Sequence, residues 1–197
     1  MIVVVDYEAG NLYNVANALT HLGQDFEMSG DPETVSRASR VVLPGVGAAG
    51  TACESLRRQE LDEVIRKLDV PFLGICLGLQ LLFRRSEEEQ ADLLDVLPDT
   101  VERFDSSRLK VPHVGWNSVE LAKDDPLFEG IESDTYFYFV HSYFVPFQQP
   151  GTLGRTTYGG LFCSALRHNN FWGVQFHPER SGTQGLRLLK NFLEVSC

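Results

Sequence analysis

Pro71-Phe72-Leu73-Gly74-Ile75-Cys76-Leu77-Gly78-Leu79-Gln80-Leu81-Leu82-Phe83 orders the reading of everything around it. The apolar run 71–75 predicts a buried strand and Leu79–Phe83 a helix. A glycine-flanked cysteine stands where one would turn into the other. That is the cysteine form of a nucleophile elbow. The turn is tight and strained, so a Cβ close to it would clash, which accounts for the glycines. The sulfur at such a bend faces out of the sheet beside a helix N-terminus, whose partial positive charge favours thiolate over thiol. The competing reading is a buried structural cysteine.

A thiol nucleophile needs a base, and the far end of the chain supplies one. Residues 171–176, Phe-Trp-Gly-Val-Gln-Phe, predict a strand that runs into His177-Pro178-Glu179. Proline keeps the residue before it out of the helical region, so His177 is expected to be extended. Residues two apart then face the same side. Glu179 can hydrogen-bond one ring nitrogen of His177 and leave the other free to face a thiol. Cys76, His177 and Glu179 are thus candidates for nucleophile, base and orienting carboxylate. A solvated surface turn is the plain alternative for the tripeptide.

Outward from these two motifs, strands and helices alternate through the first half. Residues 2–6 are an apolar strand, and Leu12, Val15, Leu19 and Leu22 form a helical stripe. Further strands are expected at 24–28 and 40–43, with a helix on Leu61, Val64, Ile65 and Leu68. The second half predicts strands near 100–104, 116–121, 136–141, 152–157, 161–167 and 171–176. A closing helix carries Leu186, Leu189, Phe192 and Leu193. The charged stretch Arg84–Asp92 is expected to be a solvated helix end and loop. The pattern predicts one α/β domain over 1–197: a doubly wound, mostly parallel sheet flanked by helices, with its site at the carboxyl ends of the strands. Gly45-Val46-Gly47-Ala48-Ala49-Gly50 fits a dinucleotide fingerprint, but the strand after it ends at Cys76 instead of at an acidic residue. Backbone amides are the better use of this loop. An oxyanion needs two N–H donors, one from Leu77 after the nucleophile and one from the Val46-Gly47 peptide.

Composition sets bounds. The chain has 197 residues, 43% of them hydrophobic, and a formal net charge of −10. That balance argues against binding nucleic acid through phosphates. There is no apolar run of about 18 residues to cross a membrane. The start, Met1-Ile2-Val3-Val4-Val5-Asp6, runs straight into a strand with no basic leader, so no signal peptide is expected. Four cysteines at positions 53, 76, 163 and 197 lack CxxC spacing and read as reduced thiols of a cytoplasmic protein. His113, His141 and His168 show no ligand spacing, so no metal is expected. His141, after the aromatic run Tyr136–Phe139, reads on its own as a core histidine.

The chain resembles the class I, triad-type glutamine amidotransferase family over nearly its whole length. More narrowly, it is similar to the glutaminase subunits of imidazole glycerol phosphate synthase. The carrying residues are Asp6-Tyr7 with Gly10-Asn11-Leu12; Pro44-Gly45-Val46-Gly47; Gly74-Ile75-Cys76-Leu77-Gly78 with Gln80; Pro112-His113 with Gly115-Trp116-Asn117; Tyr138-Phe139-Val140-His141-Ser142-Tyr143; and Gln175-Phe176-His177-Pro178-Glu179. The Pro-Gly-Val-Gly and Gly-Trp-Asn segments narrow it, since other branches usually read Pro-Gly-Gly. Two departures are Glu8, where glycine is commoner, and Arg180, where lysine is. The resemblance implies a flavodoxin-like fold and an oxyanion hole at Val46, Gly47 and Leu77. It implies that L-glutamine's amino-acid end is held near Gln80, Ser142 and Tyr143, and that no cofactor is used. Asn11, Asn14, Trp116, Tyr138 and Arg180 would face a (β/α)8-barrel cyclase subunit in a heterodimer, to which ammonia passes through a tunnel. A different cysteine hydrolase would share Cys76 without needing Gln80 or Ser142-Tyr143. A non-catalytic subunit would be expected to have lost a triad member. An oxidoreductase would need Gly45–Gly50 to hold a nucleotide.

Overall fold

The computed structural model describes residues 1–8 and 12–196. Its strands are β1 (Ile2–Val5), β2 (Phe26–Ser29), β3 (Arg40–Gly45), β4 (Phe72–Cys76), β5 (Phe83–Ser86), β6 (Leu97–Arg103), β7 (His113–Leu121), β8 (Thr135–His141), β9 (Tyr143–Pro146), β10 (Thr152–Thr157), β11 (Leu161–His168) and β12 (Phe171–Val174). The α-helices are α1 (Leu12–His21), α2 (Pro32–Ser36), α3 (Ala49–Arg58), α4 (Leu61–Arg66), α5 (Leu77–Gln80) and α6 (Gly182–Glu194).

The main sheet runs β2-β1-β3-β4-β12-β11-β10-β7-β8. From β2 to β12 every pairing is parallel. From β12 to β8 every pairing is antiparallel. The expected mostly parallel sheet is therefore a mixed one, parallel only in its first half. The closing strand of the parallel half, β12, comes from the far end of the sequence and lies beside β4. That single pairing, Gly173 opposite Gly74, brings the His177 segment to the elbow.

The central parallel strands β1, β3, β4 and β12 are buried on both faces because both are covered, while the edge strand β2 stays partly exposed. In β1, Val3 and Val5 point into one core with α3 and α4. Ile2 and Val4 point into the other, with α1 and α6. Each fully buried valine or leucine contributes about 2 kcal/mol of transfer free energy. Among the described residues no helix is long and apolar enough to cross a membrane.

Two local expectations fail. The helix expected over Leu79–Phe83 covers only Leu77–Gln80. Leu79, Leu81, Leu82 and Phe83 are all fully buried, so the run is enclosed on every side and carries no helical face. The stretch Arg84–Asp92 is not a helix end. Phe83–Ser86 is a strand lying parallel to β6, and Glu88–Gln90 is a short 3-10 turn. Phe83 and Ser86 anchor that strand inward while Arg84 and Arg85 stay exposed.

Candidate active site

Cys76 ends β4 at φ 54° and ψ −107°. This backbone is strained for a residue with a Cβ, as an elbow requires. Gly78 is needed for close approach, because a Cβ there would lie 1.9 Å from the Leu43 carbonyl oxygen. The elbow thus sits hard against β3. Cys76 lines a cavity of about 260 Å³ with Val46, Gly47, Leu77, Gln80, Ser142 and Tyr143, so one hollow gathers the expected nucleophile, oxyanion and substrate positions.

His177 is extended, at φ −102° and ψ 94°, as Pro178 demands. The residues after it do not continue extended. Pro178–Arg180 curl into a 3-10 turn, and Glu179 reaches back so that Oε1 lies 2.8 Å from His177 Nδ1. Both side chains are almost wholly buried. Nε2 is buried and makes no hydrogen bond at rest. Burial pulls the His177 pKa down, but the Cys76 sulfur and the Glu179 carboxylate outweigh it and push it up to about 10. The Cys76 sulfur donates to the Val140 carbonyl oxygen at 3.8 Å and accepts from Gln175 Nε2 at 3.5 Å.

The oxyanion candidates lie on adjacent strand ends, with Gly45 in register with Cys76. Leu77 is the first residue of α5, where an amide has no intrahelical acceptor. Gly47 has φ +97°, and a Cβ there would meet nothing within 4 Å. Glycine is required at 47 for its backbone and not for room. Below the turn, the buried Tyr7 hydroxyl donates to the Pro44 carbonyl oxygen at 3.0 Å.

Gln80 Nε2 uses both hydrogens internally, on Tyr143 O and Gln175 Oε1, each at 2.9 Å. Its carbonyl oxygen is the group it has left for a ligand. Three contributors were missed in the sequence. Gln175 is fully buried and aims an N–H at the sulfur. Tyr7 braces the Pro44 turn. Glu88 lines the cavity, and its Oε2 accepts from the Ala49 amide at 2.7 Å. Burial raises the Glu88 pKa. Gln175 and Tyr7 stood in quoted motifs without a role, and Glu88 was hidden in a charged run. The Glu88 contact also tells against the dinucleotide reading. The N-terminus of α3, where a phosphate would sit, already carries a carboxylate.

Of the expected partner-facing residues, Asn11 lies outside the described residues and Asn14 is half-buried on α1. Trp116 and Tyr138 are cross-strand partners on β7 and β8, with ring centroids 6.2 Å apart. The Arg180 guanidinium lies 4.5 Å over the Tyr138 ring. Cys53, Cys76 and Cys163 are free thiols, and burial pushes Cys163 up to about 12. No group of three His, Cys, Asp or Glu among the described residues is arranged to hold a metal ion.

Known proteins share this arrangement of sequence and fold. The family model "Glutamine amidotransferase class-I" matches residues 3–195. Imidazole glycerol phosphate synthase subunit HisH of Escherichia coli (strain K12) is 46% identical over 195 residues, covering 98% of this chain and 99% of that protein. The HisH subunit of Idiomarina loihiensis is also 46% identical over 195 residues, with 99% and 98% covered. A crystal structure of a glutamine amidotransferase superposes with a TM-score of 0.76 at 23% identity, covering 98% of both chains, and so shares the fold. End-to-end matches in both sequence and fold make the chain a member of the class-I glutamine amidotransferase family, within its group of imidazole glycerol phosphate synthase HisH subunits.

Proposed function

We propose that this enzyme hydrolyses L-glutamine to glutamate and ammonia, and hands the ammonia to a (β/α)8-barrel cyclase subunit. The observation that carries the reading is a strained Cys76 lining a hollow of about 260 Å³, together with a buried His177–Glu179 pair joined at 2.8 Å. The Cys76 thiolate attacks the carboxamide carbon. Amides of Val46 or Gly47 and of Leu77 receive the oxyanion. His177, held by Glu179, gives its proton to the leaving ammonia and then takes one from the water that hydrolyses the γ-glutamyl thioester. Ser142, Tyr143 and Gln80 hold the amino-acid end of glutamine. The Glu88 carboxylate at the same wall suits its ammonium.

Ammonia released into bulk water would be protonated and lost, so a sealed exit is needed. Asn11, Asn14, Trp116, Tyr138 and Arg180 are proposed to surround it and to form the heterodimer face, with no cofactor and no metal. The partner uses the ammonia to close the ring of imidazole glycerol phosphate and release an aminoimidazole carboxamide ribotide, a step of histidine biosynthesis in the cytoplasm. The test compares glutamate formation by the complex and by three variants. Cys76→Ala and His177→Ala should each lose on the order of 10⁴–10⁶ in turnover, and Glu179→Gln on the order of 10²-fold less than that. Synthesis from added ammonium salts should survive in all three. Glutamine-dependent turnover in Cys76→Ala would overturn the assignment.

A further inference from the structure

His113 and His141 face each other across β7 and β8, both nearly buried, at 4% and 6% exposure. Their rings are joined, His113 Nδ1 to His141 Nε2, at 3.0 Å. His113 stacks on Tyr158 at 4.0 Å, and Phe104, Phe139 and Phe162 enclose the pair. Neither ring has a place in the chemistry described above. Polar groups in an aromatic enclosure of this kind are costly unless each proton has an acceptor.

The protons can be assigned one by one. The Tyr143 carbonyl can only accept, so His141 Nδ1, 2.8 Å away, carries a hydrogen. A neutral His141 then has a bare Nε2, and His113 Nδ1 must donate to it. That leaves His113 Nε2 bare, facing the Asn117 amide nitrogen at 3.4 Å. The Asn117 amide cannot be flipped. Its nitrogen donates to Thr157 O at 3.0 Å and its oxygen accepts from the Ser118 amide at 2.9 Å. The direction of donation is therefore fixed from Asn117 through both imidazoles to Tyr143 O. That oxygen also accepts from Gln80, which in turn binds Gln175 Oε1, and this turns the Gln175 N–H toward Cys76 Sγ. A proton added to either ring would set two donors face to face and break the chain. Burial holds His113 down to about 4. It holds His141 down to about 3, where neighbouring His113 and His177 add to the effect against the Tyr143 carbonyl.

We propose that His113 and His141 are positioning residues for the glutamine site: as a neutral pair of fixed tautomer they hold the Tyr143 carbonyl, and with it the Ser142–Tyr143 strand edge and the Gln80–Gln175 amides, in the geometry that receives glutamine. The proposal rests on the glutaminase reading above. It assigns these residues to substrate affinity and not to the chemical step. His113 touches neither cavity nor sulfur, so its effect must travel through His141 and Tyr143.

Two measurements test it. In the unaltered chain at pH 7, nitrogen-15 NMR of the imidazoles should show His113 and His141 both neutral with the hydrogen on Nδ1. A charged ring, or a hydrogen on Nε2 of either, overturns the proposal whether or not any variant folds. In glutaminase assays of the complex with the cyclase partner, His113→Phe should raise KM for glutamine about tenfold, the effect of one lost buried hydrogen bond, with kcat within about twofold. His113→Asn keeps an N–H where Nδ1 stood and should recover most of that loss. A fall in kcat at unchanged KM, or equal loss in both variants, refutes it. If the unaltered complex does not hydrolyse glutamine at all, the functional reading fails, while the tautomer result still decides whether the pair is locked.

Discussion

Glu8 shows how much one backbone angle explains. It sits at φ +64°, in the left-handed region that glycine enters freely and a residue with a Cβ enters at a cost. Its carboxylate meets Arg58, but both side chains are mostly exposed, so the pair adds little. Glu8→Gly should be about 1 kcal/mol more stable than Glu8→Ala, because both lose the ion pair but only alanine keeps the strain of the left-handed backbone. Equal denaturation midpoints for the two would refute this. Gly78→Ala should cost about 3 kcal/mol or more and disturb the elbow, since the new Cβ would strike the Leu43 carbonyl. The check is a urea midpoint together with the alkylation rate of Cys76. Both glycine-flanked Cys76 and His177-Pro178-Glu179 could be read in the sequence because their chemistry lies in contiguous residues. Gln175 and Cys76 are 99 residues apart. No local pattern announces that contact, nor the Glu88 carboxylate at the head of α3.

Long amphipathic or alternating segments were legible; short ones set by distant partners were not. α1, α6 and β10 fall where the periodicity placed them. β5 and β9 are four residues each and exist because β6 pairs with both. α2 depends on a cap that the eye passes over, Asp31 accepting from the Thr34 amide at 2.9 Å. The sheet's antiparallel half was visible as strands but not as an order, since it hangs from β12, which joins β4 across about half the length of the chain. One connection holding that half deserves a test. Asp125 accepts from the Trp172 indole at 3.0 Å and from the Leu127 amide at 2.9 Å, and it pairs with Arg167 at 3.2 Å. Its side chain is only 5% exposed. Asp125→Ala should cost about 3 kcal/mol by leaving the Trp172 indole N–H and the Leu127 amide without their acceptor, measured as a shift in the denaturant midpoint. Cys76 reactivity should be unchanged, as none of these groups touches the cavity.

Taken together, the buried histidines make stability depend on pH in two directions. His113 and His141 titrate below the unfolded value of about 6.5, so the unfolded chain binds more protons and stability falls as pH drops from there, through about 4 for His113 and about 3 for His141. His177 titrates at about 10, so its contribution is complete below about pH 6.5 and is lost as pH rises through 10. Denaturation midpoints should therefore peak near neutrality and decline on both sides; a midpoint still rising at pH 9 would contradict the His177 assignment. The assembly offers a second test. Trp116 and Tyr136 are 55% and 61% exposed, on the same outward face as Tyr138, and large aromatics seal an interface well. Trp116→Ala should leave glutamine hydrolysis running but raise the ratio of glutamate to imidazole product above one. A ratio near one with unchanged partner affinity would make Trp116 a bystander. Side chains along β7 and β8 alternate, odd numbers inward and even numbers outward. Trp116 and Tyr138 therefore hang from the outside of the same two-stranded ribbon whose inside carries His113 and His141. A partner leaning on that ribbon handles the histidines from behind, and word of its arrival has one backbone's thickness to cross.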